Sequence, residues 1–280
     1  MENIGYYNGK SGLIEEMSVP MNDRAIYFAD GVYEVACAKN GIVYLMNEHI
    51  DRFFRSCGRI DIQPPFTKEW LGDTLSGLIR QVDADVCRVY WQVSRGTALR
   101  SFPYPEGARP NLYITATPLE LPDLKAKLRL ITLEDKRSLF CDIKSIALLP
   151  NVMAAQRAKE AGCDEAVLHR VQRVTECSHS NILILKNGTL RTAPCDNYIL
   201  PGIARRHIIG ACRKLRIPVD EKPFTVEELF AADEVLLSSS TKFCLSAAEV
   251  DGRRVGGKAE GLLSSIQEEV MDEFHCAVGA

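Results

Sequence analysis

Apolar and polar positions in the first third of the chain alternate with the two-residue rhythm of strands. Tyr6 and Tyr7 stand before Asn8-Gly9, which predicts a short hairpin at the start. Residues 32–39 are rich in strand formers, Asn40-Gly41 is a type I′ turn signal, and residues 42–45 return as a second strand. Alternation puts Tyr33, Val35 and Cys37 on one face of the first strand and Val32, Glu34 and Ala36 on the other. Asn47 is placed to cap a helix over 48–57 that carries Arg52. Thr67 is placed to cap another that runs to about Val82. Strands are predicted at 86–94 and 112–117, flanking a loop rich in Gly, Pro and Arg from Arg95 to Pro110.

Thr117-Pro118-Leu119-Glu120-Leu121-Pro122-Asp123 has two prolines and no periodicity, so it reads as a linker. Beyond it strands alternate with helices. Strands are predicted at 128–133, 165–169, 182–185 and 234–237, with a turn at Asn187-Gly188. Helices are predicted at 151–161, stopped by Gly162, at 202–215, and from about Ala259 to Phe274; Thr225-x-x-Glu228 is a capping box. The reading is α/β (α+β) with two domains: 1–117, a linker at 118–124, and 125–280.

Composition adds mainly exclusions. The chain has 280 residues, 46% hydrophobic and 25% charged, which describes a water-soluble protein with room for a sizeable core. A formal charge of −3 argues against nucleic-acid partners, and no apolar run is long enough for a membrane span. Met1-Glu2-Asn3-Ile4-Gly5 lacks the basic flank and apolar core of an export signal. Ten cysteines are scattered from Cys37 to Cys276 with no Cys-x-x-Cys, so they read as reduced core thiols of a cytoplasmic protein, with no metal site expected.

The candidate chemistry centres on 138–150, an apolar run interrupted by one acid and one lysine, Lys144. An ammonium group buried among apolar groups loses basicity, and the neutral amine is then the nucleophile that Schiff-base chemistry needs. The plainer alternative is a strand-end lysine with its head in water. Gly202-Ile203-Ala204 opens a helix, whose free N–H groups and dipole suit a phosphate. Ser238-Ser239-Ser240-Thr241 ends a strand and offers hydroxyls and N–H groups together. Arg52 can add a bidentate charge, although a helix arginine is usually solvated surface. Glu176, before a polar loop, reads on its own as an exposed acid.

Cys141-Asp142-Ile143-Lys144-Ser145, with Asn151 and the helix-like segment after it, resembles the lysine segment of the D-amino-acid aminotransferases. These are class IV (fold type IV) pyridoxal-phosphate enzymes. Asn47-Glu48-His49-Ile50-Asp51-Arg52 is similar to that family's phosphate-arginine motif without a gap. The likeness runs from about residue 4 to residue 275 and implies a two-domain fold with the cofactor at the domain interface. It makes Lys144 the catalytic lysine that carries pyridoxal 5′-phosphate and moves the proton. It assigns the phosphate to Arg52, Ile203, Ala204, Ser239 and Ser240, and makes Glu176 the carboxylate facing the pyridine nitrogen. Ala204 stands where the family commonly has threonine, and Cys177 and His179 where it has small residues; His179 reads either as a surface imidazole or as a group that polarises the pocket.

For the substrate, the resemblance implies that Tyr33 and Arg100 hold its carboxylate, on a loop that reaches the neighbouring subunit of a homodimer. The family's Arg-x-His is Arg100-Ser101-Phe102 here, and Arg95 and Arg109 are alternative cations. The implied activity is transfer of an amino group from an amino acid, pointing to a D-amino acid, to a 2-oxo acid by a ping-pong mechanism. Alternatives within the fold are an aminodeoxychorismate lyase and an (R)-amine or branched-chain aminotransferase. A non-catalytic binding protein is the alternative outside it, disfavoured by having both Lys144 and Glu176.

Overall fold

The alternating first third folds into a six-stranded sheet, as a computed structural model of residues 3–279 shows. Met1, Glu2 and Ala280 lie outside the described residues, and with them part of the segment read above as lacking an export signal. The chain makes two compact units. The first runs to Leu121 and also takes in Ile143–Ala147 and the residues from His275; the second comprises Pro122–Asp142 and Leu148–Phe274.

The first unit contains β1 (Ile4–Tyr7), β2 (Lys10–Leu13), α1 (Arg24–Phe28), β3 (Gly31–Lys39), β4 (Ile42–Val43), α2 (Met46–Arg59), α3 (Lys68–Ile79), β5 (Val86–Ser94) and β6 (Asn111–Pro118). Its strands pair antiparallel in the order β2-β1-β6-β5-β3-β4. The core-facing side of β3 is Val32, Glu34 and Ala36, all fully buried, as the alternation requires. Phe53, Leu71, Leu75 and Trp91 complete that core. Thr67 caps α3 by accepting from the Trp70 N–H at 3.2 Å. Asn47 is not the cap: α2 begins two residues earlier, after Leu45 at φ 54°, so Asn47 lies inside the helix.

Sequence position put Lys144 beyond the linker, yet its segment belongs to the first unit. Backbone pairing explains this. The Tyr33 N–H donates to the Lys144 carbonyl at 2.9 Å, the Ile146 N–H donates to the Gly31 carbonyl at 3.1 Å, and Val32 bridges Ser145. The stretch therefore runs as a short rung beside β3, with Ile143 packed into the core of the sheet.

The second unit holds β7 (Lys127–Glu134), α4 (Leu149–Glu160), β8 (Glu165–Arg170), β9 (Arg173–Cys177), β10 (Asn181–Lys186), β11 (Thr189–Thr192), α5 (Ile203–Lys214), β12 (Val219–Asp220), α6 (Val226–Phe230), β13 (Glu234–Ser239), β14 (Phe243–Val250), β15 (Arg253–Arg254) and most of α7 (Glu260–Val278). Its nine-stranded sheet runs β12-β11-β10-β13-β14-β7-β8-β9, with β15 beside β14. Ile182, Leu183, Ile184 and Leu185 are buried in succession, so β10 is covered on both faces. The capping box at Thr225 and Glu228 is formed in both directions. Strands β9 and β11 are only five and four residues long, and β14 is buried along most of its length, so none of them shows a clear alternation.

All ten cysteines are free. Six are buried, but Cys195 and Cys276 are exposed, so the thiols are not uniformly core residues. Among the described residues no helix is long and apolar enough to cross a membrane.

Candidate active site

In the first unit the expected residues gather around β3 and α2. The Lys144 side chain is half-buried, and its Nζ lies 4.1 Å from the centroid of the Tyr33 ring. The apolar run around it does not form an apolar sheath: Leu139 and Phe140 are exposed, and the segment is mostly turn. The amine is not deeply buried, and it lies over an aromatic ring of the neighbouring strand. The Lys144 N–H donates to Ser56 Oγ at 3.4 Å, which ties the rung to α2 one turn beyond Arg52. Tyr33 in turn stacks on Tyr90 at 5.5 Å, and the Tyr90 hydroxyl donates to Gln92.

Arg52 is not solvated surface. It is buried and forms a fork with Glu34, Nε to Oε1 at 2.6 Å and Nη2 to Oε2 at 2.8 Å. His49 Nδ1 meets the same carboxylate at 2.8 Å. Burial opposes ionisation of Glu34, but the charge and hydrogen bonds of Arg52, helped by His49, outweigh it and hold the carboxyl at about 2. Burial pushes His49 down, Glu34 pulls it back up, and the Arg52 and Lys144 cations push it down again. The core face of β3 thus carries the acid that aims the arginine. Alternation had already placed Glu34 on that face, and a buried carboxylate demands a cation.

In the second unit Glu176 is buried, not exposed, because it sits on β9. Arg137 pairs with one of its oxygens. The other accepts from Asn181 Nδ2 at 2.8 Å and from the Leu200 N–H at 3.1 Å. Arg137 is itself held by Asp135 at 2.9 Å and donates to the Tyr198 carbonyl at 3.0 Å. Burial works against the Arg137 charge, yet Asp135 and Glu176 keep it firmly protonated. Sequence reasoning missed both Arg137 and Asn181; the first follows a strand and the second opens one, and neither has a periodic signal of its own.

Asn181 is the joint of this unit's polar end. Its amide also donates to the Leu200 carbonyl at 2.9 Å, and β10 pairs it with Ser238 of β13. A side chain at Gly202 would strike its Oδ1, since an added Cβ falls 1.9 Å away. The close approach brings the start of α5, with Ile203 and Ala204, against the strand ends that carry Glu176 and Ser238. Ser239 and Ser240 follow Ser238, whose buried hydroxyl has no hydrogen-bond partner among the described residues. A helix start, a hydroxyl cluster with an unfilled donor, and a buried carboxylate in one polar end fit a phosphorylated nitrogen heterocycle.

His179 is exposed. Its Nδ1 lies 3.2 Å from the buried Glu165, and Lys242 Nζ meets its Nε2 at 3.0 Å. Arg100 is also exposed. Its guanidinium rests on the Phe28 and Phe102 rings, at 5.1 and 5.4 Å from their centroids, and takes no hydrogen bond or ion pair among the described residues. Arg95, by contrast, is buried and committed to Asp30, the Ile60 and Asp61 carbonyls and the Tyr104 ring.

Residues 31–250 match the family model of amino-transferase class IV. The D-alanine aminotransferase of Listeria monocytogenes serotype 1/2a is 39% identical over 271 residues, covering 95% of this chain and 94% of that protein. The D-alanine aminotransferase of Bacillus licheniformis is 35% identical over 274 residues, covering 95% and 97%. In fold, the branched-chain aminotransferase of the archaeon Thermoproteus uzoniensis superposes with a TM-score of 0.88 over 99% of this chain and 95% of that one, at 24% identity. Pyridoxal phosphate is the cofactor of such enzymes, and the donors described above suit it. The chain belongs to the class IV aminotransferases.

Proposed function

We propose that this aminotransferase takes its amino group from a D-amino acid and passes it to a 2-oxo acid in a ping-pong cycle, as a cytoplasmic homodimer. The observation that carries an amino-acid donor, as against a simple amine, is Arg100, a guanidinium held on two aromatic rings with no anion of its own among the described residues. An unpaired cation of that kind suits a substrate carboxylate. The identity to D-alanine aminotransferases over nearly the whole chain supports the same reading. Ten free cysteines accord with a reducing compartment.

Pyridoxal phosphate, when bound, supplies an aldehyde to take the amino group and a ring that withdraws charge from the α-carbon. The roles left to the protein are positional and protolytic. Lys144 Nζ would attach the cofactor and would take and return the proton at the substrate α-carbon. Glu176, fixed by Arg137, Asn181 and the Leu200 N–H, would keep a proton on the ring nitrogen. Arg52, the N–H groups of Ile203 and Ala204, and Ser239 and Ser240 hold the phosphate. Tyr33 lines the lysine and, with Arg100, receives the carboxylate.

A half-reaction screen tests the donor class. Cofactor-loaded enzyme mixed with D-alanine or D-glutamate should convert to the aminated cofactor form, read by its absorbance change. L-leucine, (R)-1-phenylethylamine and aminodeoxychorismate should react far more slowly. Faster conversion by L-leucine or the amine would move the enzyme to the branched-chain or (R)-amine group; pyruvate release from aminodeoxychorismate would make it a lyase.

A further inference from the structure

The loop that carries Arg100 is gripped from behind by a buried arginine. Arg24, the first residue of α1, is 3% exposed. Its Nη1 donates to the Ser101 carbonyl at 2.6 Å and more weakly to that of Pro103 at 3.4 Å, while Nη2 donates to the Phe102 carbonyl at 3.2 Å. Its Nε donates to Asp30 Oδ2 at 2.7 Å. One guanidinium therefore spans three consecutive carbonyls and a carboxylate, which only a planar fork of donors achieves. The same Asp30 oxygen accepts from Arg95 Nε at 2.8 Å, so the two arginines share one anchor.

The base of the loop is closed independently. The Arg24 N–H donates to the Gly96 carbonyl at 3.0 Å, and the Ala98 N–H donates to the Asn22 carbonyl at 3.2 Å. Gly96 sits at φ +119°, with its missing Cβ only 2.2 Å from the Arg109 carbonyl, so nothing but glycine fits there. Asp23, fully buried, caps α1 and collects Ser94, Asn111 and Tyr113. These contacts fix the loop's ends, while its middle depends on Arg24. Arg24 also lies 4.7 Å from the centroid of the Phe28 ring, on which Arg100 stacks, and Phe28 packs on Phe102 at 5.2 Å. The order is a buried cation, an aromatic pair, then an exposed cation with no anion of its own.

We propose that Arg24 is the positioning residue of the carboxylate-binding loop: by fixing the backbone at 101–103 and the aromatic pair beneath Arg100, it sets how tightly the substrate carboxylate is held. The inference rests on the reading of Arg100 as the carboxylate partner. It also gives Phe102, which stands where the resembling family has histidine, a task of its own, as half of the shelf that holds the guanidinium out.

The test is Arg24→Lys, which keeps the charge and one bond to Asp30 but cannot span the three carbonyls. The ratio of kcat/KM for D-alanine to that for (R)-1-phenylethylamine should fall about 10- to 100-fold, the scale of a small misplacement of a binding group. The loss should appear in KM for D-alanine more than in kcat. Trypsin should cleave between Arg100 and Ser101 faster than in the parent, with or without cofactor. Should Arg24→Lys not yield soluble enzyme, Asp30→Asn, which loosens the shared anchor, should move the same ratio and the same cleavage rate in the same direction. An unchanged ratio in the soluble variant, or equal loss for both donors, would overturn the inference and leave Arg24 a structural residue. Arg100→Ala is measured alongside. If it lowers the ratio and Arg24→Lys does not, the inference alone fails; if it leaves the ratio unmoved, the reading of Arg100 fails with it.

Discussion

Two buried carboxylates, Glu34 in the first unit and Glu176 in the second, are each paired with an arginine, and they are built for opposite tasks. Glu34 has both oxygens filled by the Arg52 fork and His49, all on the core side of β3. It serves to aim a cation, and its own charge is spent inside the core. Glu176 is held by donors from three directions, Arg137, Asn181 and the Leu200 N–H, at the polar end of a sheet beside a helix start. We propose that it faces the ring nitrogen of the cofactor. Its arginine also pairs with a second acid, Asp135. The difference predicts that Glu34 matters first to folding and Glu176 first to turnover.

The largest effect is expected at Glu34→Gln. Breaking one side of a buried ion pair leaves an uncompensated charge and costs about 3–5 kcal/mol. Thermal unfolding should shift down by roughly 10 °C. The pH dependence follows from the same group. Its carboxyl ionises near 4.5 when unfolded and about 2 when folded, so its contribution is present above 4.5 and lost as pH falls from 4.5 towards 2. Denaturant melts at pH 6 and pH 3 should show the parent losing more stability on acidification than the glutamine variant. Equal losses would mean that Glu34 carries no such linkage.

Glu176→Gln should reverse the balance. A hydrogen bond to a charged group is worth about 1.5–3 kcal/mol, so turnover should slow about 10- to 150-fold. Unfolding should change less than for Glu34→Gln, because Arg137 keeps Asp135. A Glu176 variant as unstable as the Glu34 variant, with turnover intact, would erase the contrast.

Much of the fold could be read from pattern. The hairpin at Asn8-Gly9, the strands flanking the Arg95 loop, the Thr67 cap and the Thr225 box depend on contacts a few residues apart, and they formed as expected. What the pattern hid was non-local. Lys144 joins the first unit because its backbone pairs beside β3, more than a hundred residues earlier in the chain, and no local rule reports that. Glu176 looked exposed because β9 is only five residues long and polar at its centre. Arg137 and Asn181 owe their importance to that burial, so they stayed invisible with it. Arg24 was hidden for the same reason, since its acceptors are carbonyls nearly eighty residues away.

Lys144 is the residue we propose to carry the cofactor, and labelling tests this directly. Protein purified with pyridoxal phosphate and reduced with borohydride should yield, on peptide mapping by mass, a single phosphopyridoxyl adduct at Lys144, and Lys144→Ala should show none. An adduct on another lysine, or a Lys144→Ala protein that is still labelled and still transaminates, would contradict it.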